Sequence, residues 1–210
     1  MKTIIYSPGD PAGIGPDIFL SLMHEGFFEY IKANVVCMGD KELFHSRSKE
    51  LGYSLEINSF SNINDINEKV GFLEIIKCHD ISSGILNSTN SEYVIENLDF
   101  AIDTCIKKMG FGLVTGPISK ENIIEGGYSF SGHTERIMQK TNSDNVLMLL
   151  ASERLKVALA TTHMPISKVP ESITKELIFN KVKILNQELK EKFNIETVSY
   201  THLRAHETEE

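Results

Sequence analysis

The sequence predicts an α/β fold, a sheet covered by helices, and three observations lead there. Short β-branched runs alternate with segments of helical period along most of the chain. Glycine and proline cluster where strands give way to helices. The composition, 41% apolar and 24% charged over 210 residues, is that of an ordinary globular protein, which excludes wholesale disorder, a collagen-like repeat and a disulfide scaffold. The length fits one domain or two small ones with a sizeable buried core.

Ile4–Tyr6 is the first expected strand, and it feeds a Gly/Pro turn. Pro16, suited to a first helical position, opens a helix over Pro16–His24. Val35–Met38 is a second strand, Lys41–Leu51 a helix and Phe72–Ile76 a third strand. The Asn-rich stretch Ser59–Glu68 reads as a surface loop. From Ser91 to Met109, Val94, Leu98, Ala101, Ile102, Cys105, Ile106 and Met109 keep the spacing of one buried helix face. Phe111–Val114 returns as a strand. Val146–Leu150 and Leu155–Ala160 flank Ser152, Glu153 and Arg154 as a hairpin or as two strands joined by a tight turn. Ile173–Phe193 is the last helix, with Leu177, Ile178, Val182, Leu185, Leu189 and Phe193 inward.

A formal charge of −8 argues against a nucleic-acid partner, because that affinity comes mostly from Lys and Arg neutralising phosphates. Small anions remain open through backbone dipoles. Cys37, Cys78 and Cys105 are odd in number and widely spaced, as in a reducing compartment, and each reads as a small buried hydrophobe. The N-terminus lacks a signal-peptide core and no run is long enough for a membrane span, so the expected location is cytoplasmic.

Three segments stand out, all at strand ends, where α/β folds build ligand sites. Ser7-Pro-Gly-Asp-Pro-Ala-Gly-Ile-Gly-Pro-Asp17 is neither a dinucleotide fingerprint nor a Walker A loop. Its glycines, Gly13 and Gly15 among them, would let backbone N–H groups approach a ligand, with Asp10 and Asp17 as carboxylates. The alternative is a rigid turn with Asp17 stabilising the helix start. Val114-Thr-Gly-Pro-Ile-Ser-Lys120 puts a lysine in a first helical turn, against the dipole, which fits an anionic partner or a solvated surface lysine. Ser131-Gly-His-Thr-Glu-Arg136 sets His133 on a turn, either as a functional imidazole or as a bystander to an N-cap by Thr134. In Ala160-Thr-Thr-His-Met-Pro165, His163 leaves an apolar strand, which fits metal ligation, proton transfer or a simple hydrogen bond.

In this order, Gly9-Asp-Pro-Ala-Gly-Ile-Gly-Pro-Asp17, Val114-Thr-Gly-Pro-Ile-Ser-Lys120, Gly132-His-Thr-Glu135 and Ala160-Thr-Thr-His-Met-Pro165 resemble the 4-hydroxythreonine-4-phosphate dehydrogenase family of pyridoxal phosphate biosynthesis. Val169-Pro-Glu-Ser-Ile-Thr174 extends the resemblance, which covers residues 1–196. It implies an isocitrate/isopropylmalate dehydrogenase-like fold, two α/β domains around a cleft, and a homodimer whose subunits complete each other's sites. The implied reaction is NAD- or NADP-dependent oxidation of a phosphorylated hydroxy-amino acid followed by loss of CO2, with a divalent metal (Zn, Mg or Co) holding the substrate hydroxyl. Residue by residue, His133 and Thr134 match substrate contacts and His163 a metal ligand, while Asp10, Gly13, Gly15 and Lys120 are expected to line the cleft. Ser119 stands where the family usually has Asn.

By the same resemblance residues 1–196 correspond to the N-terminal three-fifths of the family, with both domains begun and the other metal and substrate ligands absent. An inactive, poorly soluble product with weak metal binding is expected. Residues 197–210 have no family-like continuation and read as vector read-through or a polar disordered tail. Two other functions stay open: a dehydrogenase of a phosphorylated sugar acid such as threonate 4-phosphate, and a non-catalytic module binding phosphate ligands.

Overall fold

The first two long strands are apolar on both faces, which requires a sheet covered on both sides. The computed structural model describes residues 2–143 and 145–197. It divides the chain into two compact units, 1–143 and 144–210. All but Thr197 of the expected tail lies outside the described residues.

In the first unit β1 (Lys2–Ser7), β2 (Ala33–Met38), β3 (Ser59–Phe60), β4 (Val70–Leu73) and β5 (Gly112–Thr115) form one parallel sheet in the order β3-β4-β2-β1-β5. Successive side chains of a strand point to opposite faces, and the core divides accordingly. Tyr6, Val35, Cys37 and Phe72 join a large cluster with Phe19, Phe44, Tyr93 and Leu98. Ile5, Val36, Met38 and Leu73 join a smaller one with Ala101. Phe19 is the hub of the large cluster, stacked on Tyr6 at 5.0 Å and edge-on to Phe72 at 5.6 Å.

The helices of this unit are α1 (Gly15–His24), α2 (Lys41–Glu50), α3 (Ser91–Ile106), α4 (Lys120–Glu125) and α5 (His133–Thr141). Pro16 sits in the first turn of α1, as its fixed φ favours. Asp40 caps α2 by accepting from Glu42 N at 2.8 Å. The helix expected to reach Met109 stops at Ile106, because Lys108 turns left-handed (φ 60°) and Thr104 O accepts from the amides of Met109 and Gly110. Cys37 is fully buried and Cys78 and Cys105 partly so, all as free thiols.

Two segments differ from expectation. The strand expected at Phe72–Ile76 runs Val70–Leu73, because its partner β2 ends at Met38, which pairs with Leu73. Glu74 N still donates to Phe60 O of β3 at 3.1 Å, while its carboxylate accepts from Lys41 N at 3.0 Å. The expected loop Ser59–Glu68 contains β3, since Phe60 packs with Ile63 and Ile66 against the smaller cluster.

The second unit holds β6 (Leu149–Ala151) and β7 (Lys156–Ala158), an antiparallel hairpin closed by Ser152 N donating to Leu155 O at 2.8 Å. The two expected runs are thus hairpin partners, in shorter strands. The last helix starts two residues later than expected. A single turn, α6 (Val169–Ser172), precedes α7 (Lys175–Phe193), because Ile173 is extended and Thr174 caps α7 by accepting from Leu177 N at 3.1 Å. The residues expected inward on α7 are half-buried or exposed, Val182 at 57% and Phe193 at 47%.

Candidate functional site

Chain order and sheet order part company at β1: the chain goes first to β2 on one side and later to β5 on the other. Outside the carboxyl ends of two such strands lies the crevice where open α/β sheets bind ligands. Two of the predicted motifs meet there, since Pro8–Ile14 leaves β1 and Gly116–Ser119 leaves β5.

The loops touch backbone to backbone. Gly9 has φ +82°, and a Cβ there would stand 2.2 Å from Pro117 O. At Gly15 and Gly116 a Cβ would stand 1.8 and 2.1 Å from Pro8 O. The glycines Gly9 and Gly15 therefore serve close packing of chain on chain. Asp10 N donates to Pro117 O at 3.3 Å. The Asp10 carboxylate, 4% exposed, accepts from Ala12 N at 2.9 Å and from Asn122 Nδ2 at 3.4 Å. Burial raises its pKa, and these two hydrogen bonds work in the opposite direction. Gly13 N donates to Asp10 O at 3.0 Å.

The rest of the wall is equally tied. Arg47, buried on α2, donates to Pro11 O at 3.0 Å and pairs with Asp17 at 3.4 Å. Gly84 N donates to Ala12 O at 2.8 Å. Tyr6, beneath the loop, donates to Gly15 O at 3.0 Å, and burial pushes its phenol up to about 12. Of the two readings of the first motif, the geometry matches the rigid turn, with Asp17 in the first turn of α1.

The third member arrives from α4 and α5. Ser119 caps α4, accepting from Asn122 N at 3.3 Å, a task the usual Asn performs equally well. Lys120, exposed at the first position of α4, reaches Gly132: a Cβ on that glycine would lie 3.4 Å from Lys120 Nζ and 2.5 Å from Glu135 Oε2. Gly132, not Thr134, is the N-cap of α5, with no side chain capping it. His133 follows, half-buried and edge-on to Phe130 at 6.0 Å. Its pKa is lowered by burial and then by the charge of Lys120, so the imidazole is neutral near pH 7. Lys120, His133 and Thr134 thus stand at one end of the sheet as an ammonium, a neutral imidazole and a hydroxyl, a set suited to an anionic, hydroxylated small molecule.

His163 belongs to the second unit, in the segment after β7, exposed and with a left-handed backbone (φ 56°). Among the described residues no group of three or more His, Cys, Asp or Glu could hold a metal ion. Three protein ligands are the usual set for catalytic zinc, so His163 by itself does not fit a complete centre. Sequence reasoning missed Arg47 and Asn122, which hold the two loops. Arg47 carries a signal, a lone guanidinium in a helix otherwise charged by lysine and glutamate, whereas Asn122 carries none.

A sequence profile of the family described as pyridoxal phosphate biosynthetic protein PdxA matches residues 31–201. A 4-hydroxythreonine-4-phosphate dehydrogenase of Sodalis glossinidius (strain morsitans) is 36% identical over 198 residues, covering 92% of this chain and 59% of that protein. The protein of the same name from Vibrio cholerae serotype O1 is 37% identical over 198 residues, with the same two coverages. Crystal structures of 4-hydroxythreonine-4-phosphate dehydrogenases from Klebsiella pneumoniae and Burkholderia phymatum superpose with TM-scores of 0.79 and 0.77 at 21% and 22% identity. Each takes in 90% of this chain, and 60% and 58% of theirs. The chain thus spans about three-fifths of the length of the relatives it matches. The fold is the isocitrate/isopropylmalate dehydrogenase-like one of these structures. With the profile matching most of its length and relatives above 35% identity, this chain belongs to the PdxA family of pyridoxal phosphate biosynthetic proteins.

Proposed function

We propose that the chain carries substrate-binding residues of a 4-hydroxythreonine-4-phosphate dehydrogenase. The reaction is NAD(P)-dependent oxidation of 4-phosphooxy-L-threonine to 2-amino-3-oxo-4-phosphooxybutanoate, which loses CO2 to give 3-amino-2-oxopropyl phosphate in pyridoxal phosphate biosynthesis. Family membership supports this reading. The observation that carries it is the gathering of Lys120, His133 and Thr134 at the carboxyl end of β1 and β5.

Lys120 supplies a flexible positive charge for the substrate's phosphate or carboxylate. A neutral His133 hydrogen-bonds a substrate hydroxyl or amine without repelling Lys120. Thr134 adds a hydroxyl that is both donor and acceptor. Asp10, tied to Ala12 and Asn122, stiffens the joined loops next to α4. A nicotinamide cofactor, when bound, would supply the hydride acceptor for this oxidation. His163 would be one ligand of a divalent metal, to be joined by donors outside the described set. The family resemblance supports a cytoplasmic homodimer as the working form. No helix among the described residues is long and apolar enough to cross a membrane.

Titration calorimetry of the full chain with 4-hydroxythreonine 4-phosphate, threonate 4-phosphate and inorganic phosphate, with and without chelator, tests the reading. Binding of the first is expected, weakened about tenfold or more in Lys120→Ala and His133→Gln. Failure of both organic phosphates to bind, or equal binding by both variants, overturns it. Preference for threonate 4-phosphate moves the assignment to a sugar-acid dehydrogenase, and indifference to chelator favours a metal-free binding module.

A further inference from the structure

Helix α5 carries His133 and Thr134 on its first turn, and its apolar hold on the larger core cluster is through Ile137, which is half-buried. None of its residues is fully buried, and its N-cap makes no side-chain hydrogen bond. Between α3, β5 and α5 a cavity of about 290 Å3 remains, lined by Ile102, Cys105, Ile106, Leu113, Ile137 and Thr141. Apolar contact this loose does not fix the rotation of a helix.

A polar ladder does so instead. Arg136 grips Asp99 of α3 with both arms of its fork, Nε to Oδ1 at 2.7 Å and an Nη to Oδ2 at 2.6 Å. One turn on, Lys140 pairs with Asp103 at 3.0 Å and lies 3.7 Å from Asp99. The rungs are four residues apart on both helices, so each helix presents one face to the other. Moving α5 by one residue rotates that face by about 100° and breaks both rungs. Helix α3 is anchored, with Tyr93, Val94, Leu98, Ala101 and Ile102 in the core. Position therefore passes from the core to Asp99, to Arg136, and to His133 three residues earlier on the same helix.

We propose that Asp99 and Arg136 are positioning residues that set the rotation and height of α5 and thereby place His133 and Thr134 at the carboxyl end of β1 and β5. The proposal rests on the reading of His133 and Thr134 as substrate contacts. The pair is only partly exposed, at 17% and 24%, and the bidentate fork adds geometric specificity that a point charge lacks. Besides Asp99, the charged groups at Arg136 are Glu96 on α3 and Lys140 on α5, which shares Asp99, while Lys120 on α4 faces His133 and Glu135 lies beside the adjoining Gly132.

The test follows the His133 imidazole by NMR titration, assigned with His133→Gln, alongside calorimetric affinity for 4-hydroxythreonine 4-phosphate. The variants are Asp99→Asn, Arg136→Lys and the charge-exchanged pair Asp99→Arg with Arg136→Asp, with circular dichroism to verify the fold. Each single variant is expected to raise the His133 titration toward the ordinary histidine value and to weaken binding about tenfold. The exchanged pair recovers part of both. If Asp99→Asn unfolds the chain, Arg136→Lys, which keeps the charge and loses the fork, supplies the readouts. Folded single variants with the parent's titration and affinity overturn the proposal, as does an exchanged pair that recovers nothing. If the parent chain does not bind the phosphate compound, the substrate-contact reading is what fails, and the His133 titration alone decides the role of Asp99 and Arg136.

Discussion

Replacing Gly9 with Ala probes the join between the two loops, and Gly52→Ala is its internal control. Both glycines have left-handed backbones, φ +82° and +74°. An alanine in that region costs about 1–2 kcal/mol at either position. At Gly52, just past the end of α2, nothing lies within 4 Å of the added Cβ, so the cost ends there. At Gly9 the methyl would stand 2.2 Å from Pro117 O, a backbone atom that no rotamer change can move. Forcing the chains apart adds about 1–3 kcal/mol, as overpacking in a close-packed interior does. It also stretches the Asp10 N to Pro117 O and Asp10 to Asn122 hydrogen bonds. Gly9→Ala should therefore lose about 2–5 kcal/mol, read as a lower midpoint in urea with unchanged slope, against about 1–2 for Gly52→Ala. Equal losses in the two variants would refute the claim that the loops are locked backbone to backbone.

Two further changes test the same region. Arg47→Met leaves the Pro11 carbonyl and the Asp17 carboxylate without their guanidinium, a loss of about 1–3 kcal/mol in chemical denaturation that Arg47→Lys recovers only in part. For His133 the folded chain binds the proton less readily than the unfolded chain, so between the two titration values the unfolded state holds more protons and stability falls as pH falls. The contribution is intact above the unperturbed 6.5 and is lost below it, down through the lowered folded value. Melts across that range should show this slope in the parent chain and a flatter one in His133→Gln.

The strands and the helix α3 were legible because burial imposes a period on them, whereas α7 shows its apolar spacing with no residue fully buried. Ile5, Val36 and Met38 alternate with Tyr6, Val35 and Cys37 because each strand feeds two cores, and α3 shows its stripe because the sheet lies beneath it. Boundaries were less legible where a partner or a cap decides them. Leu73 ends β4 because β2 ends at Met38, and Thr174 restarts the helix that apolar spacing alone carries back to Ile173. Phe60 was hidden among asparagines that mark a loop, although a single aromatic on a smaller core suffices to make an edge strand. At the site, His133, Thr134 and Lys120 announced themselves by sitting on turns after Gly and Pro. The ties that hold them, Asp99 to Arg136 and Asp10 to Asn122, join residues 37 and 112 positions apart, and no local pattern reports such a pairing.

Strand β1 is synthesised before the other strands of its sheet and is one of the last to be completed. Its inner neighbour β2 follows within a few dozen residues, but Ile4 meets Gly112 across more than a hundred. Closing so long a loop is entropically slow, and contacts of this separation set the pace of folding. During translation the β1–β2–β4 half can collapse early, while the Pro8 turn waits on the ribosome for the Gly116 turn to emerge. A nascent chain arrested before residue 112 should thus hold a protected aromatic core and an unlocked ligand crevice, and hydrogen exchange at Asp10 would report the moment the two turns meet.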